Sequence, residues 1–199
     1  MATEKTLIIA DGENLSARYR EMLSNGRVVR QNTVAISDYF VWNPGIFGDW
    51  LWSILRISYH TSITGDDLAI QHARHAIGAV QYKCRAQAIG LHDNKQMYRT
   101  SEGRIVPSVR KRASKSRKES ICDTAIAVEA LRASYRDQAQ KIVILSGDGD
   151  FLPLYQELMH SGREVIVGAF SSGLHADVPI CVDSFIDLDP IFFEDHEEA

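Results

Sequence analysis

Two carboxylates separated by one glycine, Asp148-Gly149-Asp150, follow the apolar run Ile142-Val143-Ile144-Leu145 and a small Ser146-Gly147 turn. The apolar run reads as a buried strand, and the stretch after Phe151 repeats its apolar residues at helical spacing. Open α/β sheets bind ligands just beyond the carboxyl ends of their strands. Paired carboxylates there suit a hard divalent cation, Mg²⁺ or Mn²⁺. Asp11 ends the run Thr6-Leu7-Ile8-Ile9-Ala10 in the same way, and Asn14 follows three residues later. Neighbouring strands lie roughly 5 Å apart, so acids at their ends can share one ion. Asn14 either turns its side chain into that pocket or caps the helix beginning there. Asp123 opens a further helix, where the helix dipole alone would favour a carboxylate; an ordinary capping acid is the competing reading. Glu129, six residues on, is rotated by about 120° and belongs behind the site or on the surface. Clustered carboxylates raise one another's pKa, a cost that a cation removes.

These residues need elements to position them. Apolar runs predict strands over 6–10, 34–42, 55–60, 141–145, 164–170 and 185–188. Helical spacing predicts helices over 15–23, 66–80, 122–134 and 151–160, and a weak one over 174–182. Residues 82–89 read as a continuation of the 66–80 helix, stopped by Gly90. Residues 96–100 and 104–109, flanking Ser101-Glu102-Gly103, read as a hairpin or two loose strands. Alternating strands and helices imply a mainly parallel sheet covered on both faces. Trp42, Trp50 and Trp52 bracket Asn43-Pro44-Gly45. They either cover the core or form an exposed patch that would serve a homodimer.

The chain has 199 residues, a net charge of -4 and 24% charged residues, which fits one soluble domain over 1–199 ending in an acidic tail near 194–199. No global basic bias marks it for nucleic acid, but a local one exists. In the segment 110–118, Arg110, Lys111, Arg112, Lys115, Arg117 and Lys118 are cationic. A basic loop near 104–118 would hold phosphates close to Asp123, with affinity that falls with salt; a merely solvated loop is the bland alternative. Tyr82, Tyr98 and Trp42 are of a type that stacks on bases, although core or rim positions are their commoner fate. Cys84, Cys122 and Cys181 are odd in number and form no CxxC, which argues against a disulfide framework or zinc site and for reduced thiols in the cytoplasm. His72 and His75 lack an acidic or Cys partner at ligand spacing. No signal peptide or apolar span appears, so no membrane partner is expected. Gly147-Asp148-Gly149 lacks the third glycine of a dinucleotide fingerprint, and Leu152 stands where an EF-hand needs a ligand.

Taken together, Ile9-Ala10-Asp11-Gly12-Glu13-Asn14-Leu15, then Lys118 through Asp123 to Glu129, then Leu145-Ser146-Gly147-Asp148-Gly149-Asp150-Phe151-Leu152-Pro153-Leu154, resemble the NYN domain. More narrowly, they resemble the LabA-like (DUF88) branch of the PIN-like nucleases. Gly162 to Val167 fits as well, so the resemblance runs from Leu7 to about Leu188. It implies a PIN-like three-layer α/β/α sandwich around a mainly parallel sheet. It also implies catalytic residues Asp11, Asn14, Asp123, Asp148 and Asp150, with Asp11, Asp123 and Asp148 holding Mg²⁺ or Mn²⁺ and Asp150 orienting the water. Two departures concern the helix acid: Glu129 stands where many relatives have Asp, and Ser120 where a Lys is common. The implied activity is hydrolysis of RNA that leaves a 5′-phosphate. Two other readings stand beside it, a non-catalytic RNA-binding regulator of the same fold and a nucleotide-sugar transferase using Asp148-Gly149-Asp150 as a metal-diphosphate motif.

Overall fold

A computed structural model of the protein describes residues 4–92, 95–112 and 121–194. Thr6–Asp11 (β1) is buried along its whole length because it carries no outward-facing polar side chain before Asp11. It leads into Gly12–Ser24 (α1), the short antiparallel pair Val34–Ile36 (β2) and Phe40–Trp42 (β3), and the long strand Ile54–Ile63 (β4). Asp67–Gly78 (α2) is followed by Gln81–His92 (β5) and Lys95–Arg104 (β6), then Val106–Lys111 (β7). Ile121–Tyr135 (α3), Lys141–Leu145 (β8), Leu152–His160 (α4), Glu164–Ala169 (β9), Ser184–Asp187 (β10) and Asp189–Phe192 (α5) complete the order.

Six strands form the central sheet in the order β10-β9-β8-β1-β4-β7, and every pairing is parallel. Side chains alternate across it, as the two-residue period of a strand requires. Ile8, Ala10, Ile57, Tyr59, Val143 and Leu145 join one core with α1, α2 and the buried Phe192 and Phe193. Leu7, Ile9, Ile142, Ile144, Val165 and Val167 join the other with α3 and α4. The result is a three-layer α/β/α sandwich of the PIN-like type. The chain leaves β1 in one direction to reach β4 and β7, and takes β8, β9 and β10 on the other side. The crevice between β1 and β8 is therefore the topological switch point.

Several expectations change, including the strand over 34–42, which is instead the antiparallel pair β2–β3 in a sheet of its own. Residues 82–89 do not continue α2, which ends at Gly78; they belong to β5, where Tyr82 and Cys84 point inward and Lys83 outward at strand period. The hairpin is thus β5–β6, and Gly90 sits at a register shift in that ribbon with a φ of 141° rather than ending a helix. Residues 106–111 do not form a loop or a hairpin arm, because β7 adds to the edge of the main sheet beside β4. Arg110 and Lys111 lie in that strand and Arg112 just beyond it, whereas Lys115, Arg117 and Lys118 fall outside the described residues. Residues 174–182 hold only a 3₁₀ turn, Val178–Ile180. Trp42 and Trp52 are buried, leaving Trp50 as the exposed tryptophan, stacked on Trp52. Among the described residues no helix is long and apolar enough to cross a membrane.

Candidate active site

Asp11 ends β1 and caps α1, with its Oδ1 accepting from the Asn14 amide at 3.1 Å. Its Oδ2 accepts from the Ser146 hydroxyl, at the end of β8, at 2.9 Å. The capping role weighed for Asn14 therefore belongs to Asp11. Asn14 instead accepts the Gly147 amide on its side-chain oxygen at 3.2 Å, tying the first motif to the acidic turn. Asp148 caps the 3₁₀ turn Gly149–Phe151, accepting from the Asp150 amide at 3.0 Å. Both strand ends are held by short side-chain bonds across the switch point.

Asp11, Asn14, Asp123 and Asp148 all line one cavity of about 750 Å³. Glu13, Arg18, Ser62, His72 and Arg112 share its wall. Asp150 is exposed and is not among the lining residues. Glu129 faces away from this cavity, as its helical rotation predicts, and meets β4 instead.

Glu13 and Arg112 were not singled out as a pair by the sequence, although Glu13 stands in the first turn after Asp11. Arg112 reaches Glu13 Oε1 at 2.5 Å and Ser62 Oγ at 2.8 Å. Ser62 also donates to Glu13 Oε1. A guanidinium is thus fixed in the wall of an acidic cavity, where it can meet a phosphate bidentately. Cys122 lies alongside; burial first, then the Glu13 and Asp11 charges, push its thiol up to about 12. It remains a neutral thiol and not a nucleophile.

Asp11 is the electrostatic anomaly. Only 3% of it is exposed. Burial pushes its carboxyl up to about 7, and the Asp123 and Glu13 charges add to that, while the bonds from Asn14 and Ser146 pull the other way. Each of its oxygens keeps a second lone-pair site for a further partner. Among the described residues no three His, Cys, Asp or Glu side chains are close enough to hold a bare metal ion between them. The all-oxygen donor set and the desolvated carboxyl nevertheless fit a hard cation that keeps part of its water shell.

The chain is similar in structure to a crystallised protein of unknown function from Vibrio parahaemolyticus RIMD 2210633, with a TM-score of 0.57 and 15% identity over 96% of each chain. Likeness at that identity is a likeness of fold. No curated protein matches the sequence significantly. The family model of the NYN domain matches residues 5–189, a span running from the start of β1 into α5 and taking in every acid of the cavity. The chain belongs to the NYN domain family, within the PIN-like nuclease superfamily.

Proposed function

We propose that this NYN domain is a ribonuclease that hydrolyses RNA phosphodiester bonds with the help of Mg²⁺ or Mn²⁺, leaving a 5′-phosphate. The observation that carries this reading is the convergence of Asp11, Asp123 and Asp148 on one cavity at the sheet's switch point. Those three carboxylates would hold the cation. When bound, such an ion neutralises the phosphate's non-bridging oxygens and stabilises the leaving oxygen. Arg112, braced by Glu13 and Ser62, orients the scissile phosphate. Glu13 Oε1 carries the bonds from Ser62, Arg112 and Cys122, so Oε2 retains acceptor capacity for an attacking water's proton. This moves the water-orienting role from the exposed Asp150 to a group inside the cavity. Asn14 holds the two strand-end motifs in register. Arg110 and Lys111, with Lys115, Arg117 and Lys118, bind the RNA backbone.

The second reading, an RNA-binding regulator without catalysis, is favoured by the lack of a closed three-ligand metal cage among the described residues. Incubation of labelled single-stranded RNA with Mg²⁺ or Mn²⁺ decides between them. Cleavage should appear with metal, vanish in chelator and fall at least 10²-fold in Asp148→Asn and Asp123→Asn, on the scale typical of lost catalytic groups. Binding without cleavage under either metal sinks the enzyme reading.

A further inference from the structure

A second cavity, of about 370 Å³, lies on the α3 side of the sheet, between that helix and the uncovered edge made by β4 and β7. Arg56, Arg110 and Arg132 line it, with Ser58, His60 and Ser108. Its acid, Glu129, is already engaged. It accepts from Arg56 at 2.6 Å and Ser58 at 2.6 Å, and pairs with His60 Nε2 at 2.8 Å. Arg110 and Arg132 form no hydrogen bond or ion pair with the described residues, and both are exposed. Counting Glu129 against the three guanidiniums leaves a surplus of positive charge in the trough. His60, 4% exposed, helps line the trough and is fixed there by its pair with Glu129.

One row of side chains links the trough to the acidic cavity. Residues two apart on a strand point to the same face, so Ser108, Arg110 and Arg112 form one row along and just past β7. Arg112 lines the acidic cavity, while Arg110 and Ser108 line the trough. Successive members of the row are roughly 6.6 Å apart at strand rise. Arg132, towards the other end of α3 from Asp123, extends the positive path away from the acids.

We infer that this trough is an extended phosphate track, seating the sugar–phosphate backbone of single-stranded RNA as it leaves the acidic cavity. It rests on the nuclease reading for the identity of the strand, and it adds Arg56 and Arg132 to the binding surface. The track grips phosphate, so it contributes affinity and length dependence without sequence preference.

Arg132→Glu is the test, because Arg132 is exposed, has no ion pair among the described residues and lies outside the basic segment. Fluorescence anisotropy with labelled single-stranded RNA of about 4 and about 15 nucleotides is run in chelator across a salt series, with Lys5→Glu as a charge-matched control. Cleavage by the wild-type chain is assayed in parallel. Arg132→Glu should weaken binding of the longer RNA about tenfold. It should lower the salt slope by about 0.7 for each phosphate that the variant no longer neutralises. The weakening should grow with RNA length and be absent in the control. Equal affinity and slope in Arg132→Glu and a wild-type chain that cleaves RNA overturn the track and leave the nuclease standing. The predicted weakening with a wild-type chain that never cleaves supports the track and removes the nuclease. A wild-type chain that binds no RNA removes both.

Discussion

Replacing Asp11 with Asn should make the metal-free protein more stable at alkaline pH, although it removes a residue from the candidate active site. Asp11 rises from 3.8 in the unfolded chain to about 7 in the folded one. A carboxyl whose folded pKa lies above its unfolded value binds its proton more tightly when folded. Stability from this group is therefore full below about pH 4 and is lost as pH rises to about 7. Three pH units at 1.36 kcal/mol each amount to about 4 kcal/mol. Asn keeps the acceptor for the Asn14 amide but presents an amide to Ser146, whose hydroxyl must then accept; that mismatch costs about 1 kcal/mol. The net expectation in chelator is that Asp11→Asn is about 3 kcal/mol more stable than wild type at pH 8. The gap should close, or reverse slightly, near pH 4. Urea unfolding at a series of pH values measures it directly. Mn²⁺ should narrow the gap at pH 8, because a cation that binds only the folded carboxylate stabilises wild type selectively. Parallel stability–pH profiles for the two proteins, or an Asn variant weaker than wild type at pH 8, would refute the assignment of Asp11 as a strained buried charge.

Glu129 gives the opposite pH dependence. Its burial raises its pKa, but the bonds from His60 and Ser58 and the charges of His60 and Arg56 outweigh that and hold it at about 2. The stabilisation is therefore present above the unfolded value of 4.5 and lost as pH falls towards 2. Glu129→Gln should lose about 2 kcal/mol at pH 7, discounted because Arg56 is partly exposed, and almost nothing near pH 2; a flat difference across that range contradicts the network. Gly12→Ala should destabilise by at least about 3 kcal/mol, since a Cβ there would collide with the Tyr59 ring and lie 2.8 Å from the His60 carbonyl oxygen. A variant with an unchanged thermal midpoint would show that β4 and α1 can separate more easily than their packing indicates.

The parallel sheet was legible because its strands are continuous apolar runs that end in acids or small residues. Ile142 to Leu145 and Thr6 to Ala10 are both buried throughout, so little competed with a strand reading. The β5 ribbon was not legible as such. Beyond Tyr82 and Cys84, its residues up to Gly90 are exposed or half-buried, and with no sustained buried face there the two-residue period fades into a pattern that also suits a helix. β7 was obscured by its edge position, since Pro107 sits among residues whose burial alternates only partly. Within the cavity, Asp11 and Asp148 could be named from type and spacing, while Asn14 and Asp123, each with a capping reading beside it, entered the site through the family resemblance. That Asp150 would fall outside the cavity's lining could not be read in this way, because the 3₁₀ turn directly after Asp148 is set by the fold and not by the motif. Nor could the brace of Glu13, Ser62 and Arg112, which joins three elements far apart in sequence.

The same physics links the anomaly at Asp11 to the proposed chemistry. Domains of ordinary size have net stabilities of roughly 5–15 kcal/mol, so an ionised Asp11 with no ligand would offset a large part of it at neutral pH. A buried hydrophobic side chain at position 11 would keep the strand, and an amide would keep both strand and cap, at lower cost. What neither substitute supplies is an anionic oxygen, already stripped of water, beside Asp123 and Asp148. That group has little water left to shed when a cation arrives, and ion binding returns the free energy that its ionisation took from folding. Cation affinity should accordingly rise with pH up to about 7, with about one proton released per ion as Asp11 ionises. Calorimetry in buffers of different ionisation enthalpy reads that proton, and metal binding without proton release at pH 6 would place the ion somewhere other than on Asp11.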